Sequence, residues 1–296
     1  MFKSDNYTAS EKISLAKEIA LIGVQATPLT TLLMARNIDK ALSTVHSWRE
    51  KTLDTTSDIS FAEGAETTAF QESTRAELSN YLEIFKKGAS ISGTALAIGA
   101  NQLAEEVNDR LLEIKINLED KLINGEKDDG STAPYVRKIG GLIEWADTDN
   151  VVDKDSEGND IEAIDEGIIK LMMQTLWNND LMEGNYYALI NAELKEQVDT
   201  IYKDTYGYAH KTDNFGLVVN SIDTNYGTLN FVLSKHVPDD KVVFFNDSYV
   251  NLAYLREPYF EPLAKTGDSV KGHVITEATL RVGSKKAIAV LEVDIK

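Results

Sequence analysis

Alternating carboxylates in one acidic stretch form the motif of this chain that comes nearest to a metal-binding loop. Asp153, Asp155 and Glu157 stand at every second position and are followed by a glycine. Oxygen ligands at this spacing are typical of a calcium loop, because they converge on one ion. The position that should supply a bidentate glutamate is Ile164, however, and Asp160 stands where the loop needs an apolar residue. The sequence therefore predicts a solvated acidic loop and no metal site.

The histidines and the lack of cysteine leave little material for other catalytic chemistry. None of the four histidines has a second His at ligand spacing; they are His46, His210, His236 and His273. With no cysteine in the chain, disulfides, thiolate metal sites and cysteine nucleophiles are excluded. No GxSxG, HExxH or phosphate-binding Gly-Lys-Ser/Thr loop occurs. A serine triad assembles in space and needs no such motif, but the sequence favours a protein that is not an enzyme and has no cofactor.

A strong excess of acidic residues restricts the partners of the chain. Lys plus Arg total 30 and Asp plus Glu total 48, which gives a formal net charge of −18 over 296 residues. Phosphate backbones bind mainly through cationic side chains, so sequence-specific binding of nucleic acid is not expected. The first residues lack the basic head and apolar core of a secretory signal, and no apolar run approaches the ~18 residues of a membrane span. We therefore expect no membrane association.

The first third of the chain predicts an arm followed by a two-stranded ribbon. Thr27-Pro28 predicts an extended step in the arm. Two strands are expected at roughly 44–53 and 78–91, with a polar crossing that turns at Glu63-Gly64. A long ribbon of two strands is only marginally stable alone. We therefore expect it to project from the subunit and to need a neighbouring surface.

Trp48 in the first ribbon strand has two possible roles. Trp and Arg are favoured at protein interfaces, and Trp48 stands beside Arg49, so it is a candidate anchor on a neighbouring subunit. Alternatively, the indole covers the ribbon within its own subunit. The sequence does not separate the two roles.

Residues 94–124 carry the clearest helical pattern. Apolar residues recur every three or four positions, at Leu103, Val107, Leu111, Ile114, Leu118 and Leu122. One narrow apolar stripe over several turns predicts a long amphipathic helix, and Asn124-Gly125 fits its end. The pattern suits a spine beneath a sheet and an ordinary core helix equally well.

The remainder mixes helices with strands. Amphipathic helices are expected at 161–181 and 185–202, strands of period two from 214 onward, and a final hairpin that turns near Gly283-Ser284. Helices combined with mostly antiparallel strands indicate the α+β class.

Several segments, in this order, resemble one family of virus proteins. They are HSWREKTLD after a Thr-Pro-Leu arm, AEGAET, an Ile-Ser-Gly-Thr step, a long acidic helix ending LINGE, NFGLVV, and PLAKTGDSVKGHVITEATL. Together they resemble the major head proteins of the coliphage S-U-ten family, within the Hong Kong ninety-seven capsid superfamily. The resemblance runs from about Thr27 to Ile295 and is weakest over 126–210.

The resemblance implies a division into four regions of that capsid fold. Residues 1–42 would form the N-terminal arm and 43–91 an extended β-hairpin loop over an adjacent subunit. Residues 92–130 and 261–296 would form the peripheral domain, with the spine helix and closing strands. Residues 131–260 would form the axial domain.

The implied function is that of a major capsid protein of a tailed bacteriophage. Its copies would form hexamers and pentamers of an icosahedral head around double-stranded DNA, assembled in the bacterial cytoplasm and found in the virion. Expected partners are further copies, a separate scaffolding protein and a portal, with a decoration protein as an optional partner. The candidate contact residues between subunits are Trp48, Arg49, Phe61, Glu63, Phe70 and Arg75.

Three other functions compete with this interpretation. An encapsulin, which is a cellular compartment that packages cargo enzymes, has the same fold and would be favoured by a more compact loop and a groove for a cargo peptide. A secreted adhesin or surface-layer protein is disfavoured by the missing signal segment. An enzyme of unrecognised type is disfavoured by the missing catalytic motifs.

Overall fold

The fold is taken from a computed structural model of the chain. It describes residues 27–36, 38–53, 60, 62–64, 66, 70, 73–98, 102–179, 181, 184–206, 220–265 and 267–294. The helices are α1 (Pro28–Met34), α2 (Gly93–Ile98), α3 (Gln102–Asn124), α4 (Leu142–Trp145), α5 (Glu166–Trp177) and α6 (Ala192–Tyr206). The first six strands are β1 (Asp39–Lys40), β2 (Val45–Thr52), β3 (Thr74–Tyr81), β4 (Glu83–Ser92), β5 (Val151–Val152) and β6 (Tyr186–Ile190). The last six are β7 (Ser221–Thr224), β8 (Gly227–Leu233), β9 (Lys241–Asn246), β10 (Val250–Pro262), β11 (Ser269–Val282) and β12 (Ile288–Glu292).

A four-stranded sheet in the order β1-β10-β11-β4 supports the long helix. The strands β10 and β11 pair antiparallel, and β4 adds to the other side of β11, also antiparallel. Helix α3 lies against β4 and β11, and its Ile114, Leu118 and Leu122 enter the main hydrophobic core. The predicted long helix is therefore a spine beneath a sheet, although the described part of it comprises α2 and α3.

The N-terminal end of the spine is less covered than the sequence pattern implies. Leu103 and Val107 are only half-buried, and Leu111 is 36% exposed. The apolar stripe thus continues beyond the surface that the described part of the subunit provides for it.

A six-stranded sheet in the order β5-β12-β9-β6-β8-β7 forms the second layer. Helices α5 and α6 cover it, with a separate core that contains Met172, Leu194, Phe244 and Leu291. The predicted helix at 185–202 is wrong in its first part, which is the strand β6. Its residues Tyr187 and Ile190 lie in a five-residue strand that pairs with β8 on one edge and with β9 on the other. The helix begins only after Asn191.

The predicted final hairpin is also wrong. Strand β11 pairs with β10 and β4, whereas β12 pairs antiparallel with β9 in the other sheet. The chain does turn near Gly283, whose N–H donates to the Tyr249 carbonyl at 2.7 Å. After that turn it crosses between the sheets, because β12 is an apolar run that is buried on both faces.

The ribbon consists of β2 and β3, which pair antiparallel from Val45–Tyr81 to Thr52–Thr74. The predicted second strand, 78–91, is in fact two strands that separate at Leu82, whose N–H donates to the Thr44 carbonyl. Only the part before Leu82 belongs to the ribbon, and the part after it joins the four-stranded sheet. We call residues 45–50 and 78–81 the ribbon base, residues 51–77 the outer ribbon, and residues 53–73 within it the ribbon tip.

The arm, where the structure describes it, has a non-helical residue at Thr27, with φ −120° and ψ 68°, as is typical before a proline, and then continues as the helix α1. Pro28 occupies the first position of α1, where its fixed φ suits a helix and its missing N–H costs no hydrogen bond. Among the described residues, no helix combines the length and apolar character that a bilayer span requires.

Candidate assembly interface

The outer half of the ribbon has no cover from the described part of its own subunit. On β3, the run Thr74–Glu77 is exposed on both faces, and Lys51 and Thr52 are exposed on β2. In the ribbon tip, Leu53 is 63% and Phe70 87% exposed. An isolated two-stranded ribbon is marginal in water, and apolar surface on a projecting element marks contact with another molecule. The outer ribbon is therefore the candidate interface.

The six predicted contact residues fall into different environments. Those with exposed side chains are Arg49, Glu63, Phe70 and Arg75. Phe61 lies outside the described residues. Trp48 is only 8% exposed and belongs to the main core of its own subunit. Contact between the exposed residues and a neighbouring copy stays a prediction.

Trp48 attaches the ribbon base to the rest of the subunit. Its ring centroid lies 5.4 Å from that of Trp145, with the two planes inclined by 41°. The Lys127 ammonium lies 5.6 Å from the Trp145 ring centroid and 5.3 Å from the Tyr81 ring centroid. Tilted aromatic pairs and cation–π contacts stabilise a structure beyond the burial of their area. Of the two roles considered for Trp48, the structure favours cover within the subunit.

Asn80 joins the ribbon base to two other parts of the chain. It is fully buried, and its amide nitrogen donates to the carbonyls of Gly140 at 3.0 Å and Leu280 at 2.8 Å. Its amide oxygen accepts from the N–H groups of Gly140 at 2.9 Å and Tyr81 at 3.0 Å. One side chain thus satisfies the buried backbone of the segment after the spine helix and of β11.

Asn80→Ala is expected to lower the free energy of unfolding by about 2–3 kcal/mol, because buried backbone groups of Gly140 and Leu280 would lose their partners. Urea unfolding followed by tryptophan fluorescence measures this loss. The matched control is Ser79→Ala at the adjacent, half-buried position, which we expect to change stability by less than about 0.5 kcal/mol. Equal effects of the two changes would contradict the role assigned to Asn80.

His46 lies opposite Asn80 at the ribbon base and is close to an ion pair. Arg281 binds Asp39 with 2.8 Å between Nη1 and Oδ2. Burial lowers the pKa of His46, with Arg281 lowering it further and Asp39 opposing the change. The Glu50 carboxylate accepts a hydrogen bond from the Ser284 hydroxyl on the same side of the base. Because the imidazole is buried and already lies near the positive charge of Arg281, protonation of His46 is unfavourable in the folded subunit.

Acidification is expected to destabilise the ribbon base through His46. Above the ordinary pKa of about 6.5 the imidazole is neutral in both states and adds no pH dependence. Below it the unfolded chain takes up the proton first, so stability falls until the pH passes the lowered pKa of the folded state. Urea unfolding at a series of pH values tests this, with His46→Gln expected to flatten the fall. The same slope in both proteins would refute the assignment.

Glu119 is a buried carboxylate that sequence reasoning missed. It lies on the spine helix with no exposed surface and accepts from the N–H groups of Leu29 at 3.0 Å and Thr30 at 2.6 Å. It also accepts from the Thr30 hydroxyl at 2.6 Å. Thr27 makes no side-chain cap, so the free N–H groups at the start of α1 depend on Glu119.

The acidic loop is organised by its own hydrogen bonds. Asp155 Oδ1 accepts from the N–H groups of Glu157 at 2.9 Å and Asn159 at 2.8 Å. These bonds lower the pKa of Asp155, those from Asn159 most. The described residues contain no group of three His, Asp or Glu side chains placed to hold a metal ion. The geometry is that of a solvated turn around Gly158, which has a φ of 86°.

Comparison with known proteins places this architecture among virus shells. A family model for the SU10 major capsid protein matches residues 3–295. The capsid subunit of cyanophage A-1(L) is similar with a TM-score of 0.69 at 11% identity, covering 95% of this chain and 96% of that one. For Mycobacterium phage Che8 the TM-score is 0.59 at 12% identity, over 93% and 94%.

An encapsulin is similar as well. The SrpI encapsulin of Synechococcus elongatus PCC 7942 has a TM-score of 0.64 at 12% identity, over 96% of this chain and 94% of that one. No curated protein sequence matches the chain. Likeness at such identities shows a shared fold alone, which is the α+β Hong Kong ninety-seven type. The match along nearly the whole sequence goes further, and by it the chain belongs to the SU10 major capsid protein family.

Proposed function

We propose that copies of this chain use the outer ribbon to join into hexamers and pentamers, which close the icosahedral head of a tailed phage. The observation that carries the proposal is the exposure of the described residues of the outer ribbon, among which Phe70 is 87% exposed. A contact between two different surfaces, repeated by rotation, closes a ring. A ribbon that lies on the next subunit would bury its apolar residues and enlarge the interface without enlarging the core.

The exposed candidates on the ribbon support such a contact chemically. Phe70 offers apolar surface, and Arg49 and Arg75 offer planar guanidinium groups, which are common at energetically important interface positions. Glu63 at the turn supplies the opposite charge. We infer that the neighbouring copy presents an apolar recess for Phe70 with carboxylates around it.

The division into arm, extended loop, peripheral domain and axial domain remains part of the proposal. The four-stranded sheet with α3 suits the peripheral domain, and the six-stranded sheet suits the axial domain. On this basis β10 would belong mainly to the peripheral domain and β12 to the axial domain. We therefore propose that the second part of the peripheral domain begins before 261, with β10, and ends before 288, where β12 starts.

We infer that the shell encloses double-stranded DNA without reading its sequence. The net charge of −18 disfavours tight binding of phosphate, so the inner wall would not retain DNA as it is packed or released. A purely structural role without enzymatic activity is consistent with this. The proposal includes a separate scaffolding protein and a portal as partners, a decoration protein as an optional one, and assembly in the bacterial cytoplasm.

An encapsulin shell is the second candidate, favoured by the likeness to the SrpI encapsulin. The long ribbon argues against it, because a compact loop is expected there, and the family match favours a phage head. The contents of particles isolated from the native source separate the two candidates: packaged double-stranded DNA supports a phage head, and a protein cargo supports an encapsulin.

The purified chain, alone or with a co-expressed scaffolding protein, is expected to form closed particles or capsomer rings. Negative-stain electron microscopy and sedimentation measure this directly. Monomers as the sole species under all conditions of salt, pH and scaffold would contradict the proposed function.

A further inference from the structure

An apolar groove of about 590 Å³ lies between the spine helix, the end of α1 and strand β10. Its walls include Leu111 from α3, Met34 and Ile38 from the arm, and Pro258 from β10. Leu111 is 36% exposed and Ile38 44%. The groove is thus the place where the apolar stripe of α3 continues without cover from the described residues.

A buried phenol in the same groove lacks a partner. Tyr254 is 5% exposed, and its hydroxyl has no hydrogen-bond partner among the described residues. Burial raises the pKa of this phenol to about 12, with Glu257 adding to the effect. A buried hydroxyl without a partner is costly, so the occupant of the groove should bring a hydrogen-bond acceptor together with apolar side chains.

We propose that residues 12–22 of the same chain dock in this groove in the unassembled subunit. In this segment Leu15, Ile19 and Ile22 are spaced by four and three positions, so that a helix would present them on one face. If this helix ends at Gly23, its last carbonyls have no partners within the helix. One of them can accept the hydrogen bond of the Tyr254 hydroxyl.

The position at which the described chain begins supports this occupant. Thr27 lies one helical turn from Thr31, whose hydroxyl accepts a hydrogen bond from the groove residue Lys115 at 2.9 Å. The four residues 23–26 between the segment and Thr27 can span about 13 Å. A tether of this length holds the segment at an effective concentration of about millimolar. The groove can therefore be filled by its own chain before any second copy competes.

The charges at the groove also match the segment. Lys115 and Glu257 line the groove. On a helix, Glu18 and Lys12 would flank the face formed by Leu15, Ile19 and Ile22 on opposite sides. In one of the two orientations of the segment, Glu18 would lie beside Lys115 and Lys12 beside Glu257. The groove would then contain no uncompensated charge.

Disulfide trapping in the full-length chain tests the proposal, since the sequence has no cysteine of its own. Ile19→Cys is combined with Leu111→Cys, and in the control chain with Leu263→Cys, a position that is 52% exposed away from the groove. Mild oxidation of the monomer should form the intrachain disulfide about tenfold faster in the groove pair. Adding Leu15→Glu should abolish this advantage.

Each other outcome overturns the proposal. A disulfide-linked dimer would mean that the arm of a second copy occupies the groove. Equal rates for the groove pair and the control pair would leave the groove to a different partner protein. If Leu111→Cys does not fold, Leu15→Cys with the exposed Ile38→Cys gives the same comparison.

Discussion

Removal of the ribbon tip is expected to produce a subunit that folds normally and no longer assembles. Thr52 and Thr74 lie directly opposite each other in the β2–β3 pairing, so residues 53–73 can be replaced by Asn-Gly, the preferred two-residue hairpin turn. Since Leu53 and Phe70, which are described in the tip, are exposed and outside the core, the free energy of unfolding should change by less than about 1 kcal/mol. Particle yield should fall below detection by negative-stain microscopy.

A spacer variant separates the contacts of the tip from its length. In it, residues 53–73 are replaced by a Gly/Ser segment of the same length, which keeps the reach of the ribbon but removes Leu53 and Phe70. It should also fail to assemble. If the spacer variant formed normal particles, the side chains of the tip would not be contact residues. If the Asn-Gly variant failed to fold, the tip would be part of the subunit core.

The sequence predicted best those elements whose pattern is long and unambiguous. The spine helix ends at Asn124 as expected, because its apolar stripe repeats over many turns and a glycine follows. The first ribbon strand was placed almost correctly at Val45–Thr52. The second was extended too far, because the apolar residues continue through Leu82 while the chain leaves the ribbon for another sheet.

The prediction of a shorter element was wrong where the same residues fit both a helical period and a strand. Tyr187, Ile190, Leu194 and Val198 satisfy a helical spacing, yet the first two lie in β6 and the others in α6. The final hairpin failed for a different reason. A turn at Gly283 does not decide whether the strand that follows pairs with the one before it. Here β12 pairs with β9 in the other sheet.

The site residues show a similar limit. Exposed candidates such as Phe70 could be inferred from a projecting, polar segment. Asn80 could not, because its role depends on Gly140 and Leu280, which are 60 and 200 positions away. The one available sign for Glu119 was an acidic residue next to Leu118 at the border of the apolar stripe. Such a position is usually half-exposed, and its burial here is set by the packing of α1.

Glu119→Ala is expected to lower the free energy of unfolding by about 3–5 kcal/mol. Without the carboxylate, the N–H groups of Leu29 and Thr30 and the Thr30 hydroxyl lose their acceptor in a buried site, and each unsatisfied group costs about 1–3 kcal/mol. Pro28 has no N–H and Thr27 provides no side-chain cap, so among the described residues Glu119 is the acceptor for the first N–H groups of α1. Urea unfolding of the full-length subunit measures the loss.

Two further variants show whether the carboxylate itself is responsible. Asn117→Ala, on the exposed side of the same helix, should change stability by less than about 0.7 kcal/mol, the range of helix propensity. Glu119→Gln keeps the shape and one acceptor oxygen but turns an NH₂ group toward buried donors, so it should lose roughly half as much as Glu119→Ala. If Gln were as stable as Glu, one acceptor oxygen would suffice; if Ala were as stable as Glu, α1 would be held by apolar packing of Leu29 and Leu33 against the spine. A large loss with both variants would instead mean that the attachment of the arm depends on a carboxylate with two acceptor oxygens.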